Sequence, residues 1–164
     1  VELPARPLVR HLVDVGPVER LPLDLPMTIE ENGFHFRRVG SDVLRLAMGE
    51  LEPRWDGPAE VRDDLVEDWR ERLAARYPRA AGAPVRRTWA GCYDMTPDAH
   101  PIIGPVTEGI YAACGFSGHG FMQSPAVGDA VAAELLGEAP PVDLLPYRLD
   151  RFEAGATFPE TLVL

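Results

Sequence analysis

Gly115-Phe116-Ser117-Gly118-His119-Gly120-Phe121 separates a wholly apolar run, Ile110 to Cys114, from a stretch of helix-forming residues that ends at Gly137. Glycine reaches backbone conformations closed to other residues and lets a neighbour lie directly against the main chain. The chain must therefore turn sharply here, from an extended strand into a helix, which commits this end of the molecule to a mixed α and β architecture. Ser124 as N-cap and Pro125 in the first turn mark the expected helix start, and Gly137 its end. A helix N-terminus offers unbonded N–H groups and partial positive charge, a setting for negative charge developing on a planar ligand. A glycine-rich turn that only packs a helix onto a strand satisfies the same spacing.

Upstream, Leu8 to Val15 is rich in branched residues and closes on Gly16-Pro17, which reads as a strand and a turn. Proline-rich Leu21 to Pro26 is a connector. Met27 to Glu31 and Phe34 to Val39 flank Asn32-Gly33, the pair that best tolerates the positive φ angles of a tight hairpin. Gly40-Ser41-Asp42 turns into a third extended segment, Val43 to Met48. Together these segments form an antiparallel meander.

From Pro58 to Tyr77 the period becomes helical: Val61, Leu65, Trp69, Leu73 and Tyr77 recur four apart, Pro58 suits the first turn and Pro78 the stop. Val85 to Gly91 is a further strand, Thr96 to Pro105 a proline-broken segment, and Ile110 to Cys114 a strand of the kind buried on both faces. The tail from Glu138 is proline-rich as far as a short segment around Tyr147 to Phe152.

A chain of 164 residues, 46% hydrophobic, is long enough for one domain with a real core. A formal charge of -10 spread along the chain removes the basic footprint of a nucleic-acid binder. No apolar run is long enough to cross a bilayer, and no export signal opens the chain, so no membrane insertion and a cytoplasmic location are expected. Cys92 and Cys114 have no CxxC spacing or histidine cluster to suggest zinc, and no partner cysteines to suggest a disulfide framework; no metal site is expected. The start at Val1, already strand-like, is expected to be that of a fragment.

Three segments carry a longer pattern: Gly91-Cys92-Tyr93-Asp94-Met95-Thr96-Pro97-Asp98-Ala99-His100-Pro101-Ile102-Ile103-Gly104; Gly109 through Met122; and Ser124-Pro125-Ala126-Val127-Gly128. In order and spacing they resemble the carboxyl-terminal signature of the FAD-dependent amine and amino-acid oxidoreductases, the family of sarcosine oxidase, glycine oxidase and the β subunits of sarcosine oxidase and proline dehydrogenase. Leu3-Pro4 to Arg10, Gly33 to Phe36 and Trp89 to Gly91 resemble other parts of that family more loosely. The resemblance implies an α/β protein, α+β within this chain. Residues 1–105 would give an antiparallel sheet and one long helix of the substrate layer. Residues 106–140 would form a strand-loop-helix completing the FAD-binding layer, and residues 141–164 a tail. The pyrophosphate fingerprint GxGxxG is missing from the 164 residues, so the ADP half of a bound FAD would be held by a missing N-terminal nucleotide-binding segment.

By the same resemblance, Gly91, Gly115, Phe116, Ser117, Gly118, His119, Gly120, Phe121 and Met122 would line the flavin, with Tyr93 facing substrate and Arg10 placed near the ring. Sarcosine oxidases that attach flavin covalently use a cysteine where Gly91 stands; Cys92, one step later on an extended segment, reads as a packing residue. The flavin is therefore expected to be noncovalent. D-amino-acid and glycine oxidases carry carboxylate-gripping arginines at the positions of Tyr93 and Gly118, and both are absent. A secondary or tertiary amine, N-methyl or cyclic, is the implied substrate, oxidised by hydride transfer to flavin N5. All 16 basic residues are arginine. The lysine that oxygen-using relatives hold over the flavin is therefore missing, and another electron acceptor is expected. Further subunits are compatible with the pattern. The other class of reading is a non-catalytic structural or interaction subunit of a split flavoprotein.

Overall fold

The computed structural model describes residues 1–49 and 52–160; the last four residues of the expected tail lie outside them. Packing divides the chain into two units, Val9–Cys92 and Val1–Leu8 together with Tyr93 onward. The expected class holds: an antiparallel sheet, a long helix, and a strand-loop-helix.

The first unit is built on a sheet in the order β2-β3-β4-β1-β5. Its strands are β1 (Arg6–Val15), β2 (Thr28–Ile29), β3 (His35–Val39), β4 (Val43–Ala47) and β5 (Val85–Met95). β1 pairs antiparallel with β4, Val13 opposite Leu46 and Val15 opposite Leu44. Alternation then sends these four side chains to one face, where Phe34, Phe36, Val66, Trp69 and Leu73 complete the core. On the opposite face Asp14 takes a bidentate pair from Arg45 at 2.8 and 3.0 Å. The Arg45 guanidinium lies 4.6 Å from the centre of the Trp89 ring.

The β2–β3 hairpin forms as expected, but with a different turn. Gly33 N–H donates to Glu30 O at 2.9 Å, and Gly33 alone takes the left-handed conformation, at φ +85. Asn32 contributes its side chain, whose Oδ1 accepts the Phe34 N–H at 2.8 Å. That local bond anchors the loop without a second positive φ.

α1 spans Asp63–Arg76, so Pro58 and Val61 lie outside the helix. The cause is long-range: His11 Nε2 lies 2.9 Å and Arg54 Nη2 2.7 Å from the Glu60 carbonyl, which is thereby withdrawn from any helical ladder. Pro78 does end the helix, opening a 3-10 turn, Pro78–Ala80.

The second unit adds β6 (Ile102–Thr107) and β7 (Ile110–Cys114), an antiparallel pair in which Ile103 faces Ala113 and Pro105 faces Tyr111. The segment Thr96 to Pro105 was expected to be broken by its prolines, yet β6 runs through Pro105. A two-stranded sheet tolerates Pro105, because a strand paired on one side has positions whose N–H is not needed. β7 is also not buried on both faces: Ile110 is 58% exposed and Ala113 is exposed.

α2 runs from Gly120 to Leu135 with His119 at the N-cap, so Pro125 lies inside the helix and Ser124 is not its cap. Proline at 125 deletes the N–H that would bond the Phe121 carbonyl. The Ser124 hydroxyl replaces it, donating to Phe121 O at 2.9 Å. Ser124→Ala is expected to cost about 0.5–1.5 kcal/mol in thermal unfolding, a single lost hydrogen bond near the surface. The C-terminal end is as expected: Gly137 at φ +76 donates to Glu134 O, and Glu138 N–H reaches back to Ala133 O at 2.8 Å. Among the described residues no helix is long and apolar enough to cross a membrane, and no cluster of metal-ligating side chains occurs.

Candidate functional site

The second unit gathers the end of β5, the β6–β7 turnaround, the glycine loop and the start of α2. Asp94, near the end of β5, and Thr96, just past it, fix the loop at its root. The Asp94 carboxylate accepts the Gly115 N–H at 2.5 Å, and the Asp94 carbonyl accepts the Ser117 N–H at 2.9 Å. Just beyond β5, the Thr96 N–H donates to Ser117 Oγ at 3.3 Å. Ser117 is 1% exposed and sits at φ +52, a left-handed conformation uncommon for a residue with a side chain. These bonds over-determine it.

The glycines have reasons within the chain itself. Gly118 is at φ +92, and a Cβ there would stand 2.5 Å from Tyr93 Cε2. Gly115 is at φ +71 with the Thr96 methyl in the space a Cβ would need, and a Cβ on Gly120 would lie 3.1 Å from Phe116 Cβ. The glycine spacing therefore serves close packing of the loop on Tyr93, Thr96 and Phe116. Three glycines do not by themselves separate a ligand-binding loop from a structural one.

The expected flavin-lining residues fall into two sets. Phe116 packs against a small core of Ile103, Ala130 and Leu144, and Ser117 is buried, so these two side chains are spent on the loop's own support. Gly118 is exposed and Phe121 and Met122 are 96% and 69% exposed, presenting backbone and apolar surface at the helix start. His119 acts through its main chain: its N–H donates to Phe116 O at 2.8 Å, and its carbonyl accepts the Gln123 N–H at 3.1 Å. Because α2 begins at Gly120, the helix N–H groups without an intrahelical partner are those of the loop itself, Gly120 to Met122. The expectation had put that N-terminus near residue 125.

Tyr93 is half-buried, with its ring over the Gly118 Cα, and is therefore brought into the loop site. Arg10 and Gly91 belong to the other unit. Arg10 is half-buried on β1, and Gly91 is exposed with open space where a Cβ would project. Cys92 is exposed, which corrects its reading as a packed residue. Burial, followed by the nearby Asp94 carboxylate, pushes the Cys114 thiol up, away from thiolate character.

One cluster was not legible from sequence. Asp98 and Arg151 form a buried bidentate pair, with Nε to Oδ2 at 2.8 Å and Nη2 to Oδ1 at 3.0 Å, at 1% and 3% side-chain exposure. Asp98 closes a local turn, its Oδ1 accepting the His100 N–H at 3.2 Å. Nothing near it in sequence points to an arginine 53 positions on.

The residues present fit the isoalloxazine half of FAD, offering exposed backbone at Gly118, free N–H groups at the α2 start, and the exposed apolar side chains Phe121 and Met122 around them. Residues 1–134 match the model of the family described as FAD dependent oxidoreductase. A bovine (Bos taurus) FAD-dependent oxidoreductase domain-containing protein 1 is 35% identical across 99% of this chain and 35% of its own length. The sarcosine oxidase subunit beta of Rhizobium meliloti (strain 1021) is 36% identical across 91% of the chain and 36% of its own. Among solved structures, L-proline dehydrogenase from P. horikoshii superposes with a TM-score of 0.81 at 28% identity, over 94% of this chain and 42% of that one. The chain spans about a third of the length of the curated relatives it matches. On the family match and these likenesses, the chain belongs to the FAD dependent oxidoreductase family.

Proposed function

We propose that the chain is the carboxyl-terminal part of an enzyme that oxidises a secondary or tertiary amine or amino acid, N-methyl or cyclic, with noncovalent FAD. The observation that carries this reading is the loop from Gly115 to Met122, pinned by Asp94 and Thr96 so that Tyr93 and the first N–H groups of α2 lie side by side. FAD, when bound, would supply a two-electron acceptor for hydride. The α2 N-terminus would favour negative charge on the acceptor's edge, and Tyr93 would orient substrate by donating from its hydroxyl. Arg10 is assigned a basic role near the ring by resemblance to the family.

The layer assignment belongs to this proposal: residues 1–105 in the substrate layer, 106–140 in the FAD layer. A nucleotide-binding segment would complete the site and cover the exposed Ile110 of β7 and the apolar groove of Ala113, Phe116, Val127, Val131 and Leu135 along α2. The free thiols of Cys92 and Cys114 suit a reducing compartment, the cytoplasm. A second reading, a non-catalytic subunit of a split flavoprotein, gains from the structural need that the loop glycines meet. A flavin spectrum of the complete protein that bleaches on adding an N-methyl or cyclic amino acid supports the enzyme; a colourless complete protein rejects it.

Gly91 stands where covalently flavinylated relatives have cysteine, and it offers no nucleophile. Acid precipitation of the complete protein is expected to leave all flavin in the supernatant, and Cys92→Ser to leave flavin content unchanged. Flavin retained in the pellet would overturn the noncovalent assignment.

A further inference from the structure

The deepest charge pair in the second unit touches no exposed surface, yet it leads by short steps to the loop. Besides gripping Asp98, Arg151 donates from Nη2 to the His100 carbonyl at 2.8 Å, and from Nη1 to the carbonyls of Tyr147 and Arg148 at 3.0 and 3.1 Å. The same His100 carbonyl accepts the Thr96 hydroxyl at 2.7 Å. Thr96 lies 3.3 Å from Asp98 Oδ1 as well, but its single hydrogen favours the shorter bond. From Thr96 the path reaches the loop twice, through its N–H to Ser117 Oγ at 3.3 Å and through its methyl, which fills the space beside Gly115. The His100 ring is stacked on Phe158 at 4.2 Å between centres, which holds the turn from its other side.

We propose that Arg151 is a positioning residue for the loop Gly115–Gly120, acting through Asp98, the His100 carbonyl and Thr96. The proposal rests on the functional reading above for the loop's purpose, but not for the linkage itself. Five acceptors converge on one guanidinium: both Asp98 oxygens and the carbonyls of His100, Tyr147 and Arg148. A planar five-donor fork meets that geometry, whereas a lysine ammonium has the charge and too few donors. Arg151→Lys therefore keeps Asp98 compensated while releasing the carbonyl that Thr96 also holds. Thr96→Val keeps the methyl against Gly115 and the ion pair, and removes only the hydroxyl link. Ser117, in its left-handed conformation, is the point where loosening would first appear.

The test is amide hydrogen exchange of the complete protein, comparing the segment 115–120 with α1 as an internal reference, in wild type, Arg151→Lys and Thr96→Val. Exchange in 115–120 is expected to quicken at least about ten-fold in both variants while α1 stays at the wild-type rate, a local opening rather than general destabilisation. In protein that carries flavin, the same variants should shift the visible circular dichroism of the bound cofactor. Unchanged loop exchange in either variant overturns the proposal. So does equal acceleration in loop and α1, which would make Arg151 a general stabiliser. A wild-type protein without flavin would defeat the functional reading, yet the exchange comparison would still decide the linkage.

Discussion

Gly118→Ala is expected to destabilise the protein by about 2–5 kcal/mol, because one methyl meets two separate penalties. The backbone at φ +92 is closed to residues with a side chain, and the new Cβ would stand 2.5 Å from the Tyr93 ring. The two costs can be separated. Tyr93→Ala in the same background should recover the overpacking part and leave the backbone part, giving a favourable coupling of at least about 1 kcal/mol in a double-mutant cycle read by thermal unfolding. Additive effects would mean that the ring does not rest on the Gly118 Cα.

The second large effect belongs to the ion pair. Asp98→Ala leaves the Arg151 guanidinium buried without its counter-charge, a loss of about 3–5 kcal/mol. Acid should act in the same direction. Burial would raise the Asp98 carboxyl, but the Arg151 and His100 N–H bonds outweigh it and hold the group below the ordinary aspartate range. A depressed folded-state value means that the pair's stabilisation is complete above an unfolded value near about pH 4, and is lost as pH falls through the lower folded value. Thermal unfolding measured from pH 7 downward should therefore show an acid-limb decline in wild type that is shallower in Asp98→Ala. Equal slopes would show that another carboxylate governs that limb.

Features set by near neighbours were legible in the sequence. β1, the β2–β3 hairpin, the Gly137 end of α2 and the stop at Pro78 each follow from a few adjacent residues. The errors share a cause, a distant or side-chain group supplying what the local sequence lacks. α1 starts late because β1 and the segment at Arg54 claim the Glu60 carbonyl. α2 starts early because the Ser124 hydroxyl stands in for the proline's missing N–H, and β6 survives Pro105 by pairing with β7 alone. At the site, the structure sets Tyr93 against the glycine loop at Gly118, whereas the anchors Asp94 and Thr96 and the distant Arg151 had no local signature. Cys92 was misjudged because the faces of β5 depend on what covers them.

The ring of Tyr93 resting on the bare Cα of Gly118 has a consequence for how sequences of this kind can change. Any side chain at position 118 collides with the phenol while the phenol stays where it is, so the first viable step toward a larger residue there is a change at position 93. The reverse order passes through a destabilised intermediate. A library that randomises both positions should therefore return folded variants as correlated pairs, with larger residues at 118 appearing only beside smaller or re-aimed residues at 93.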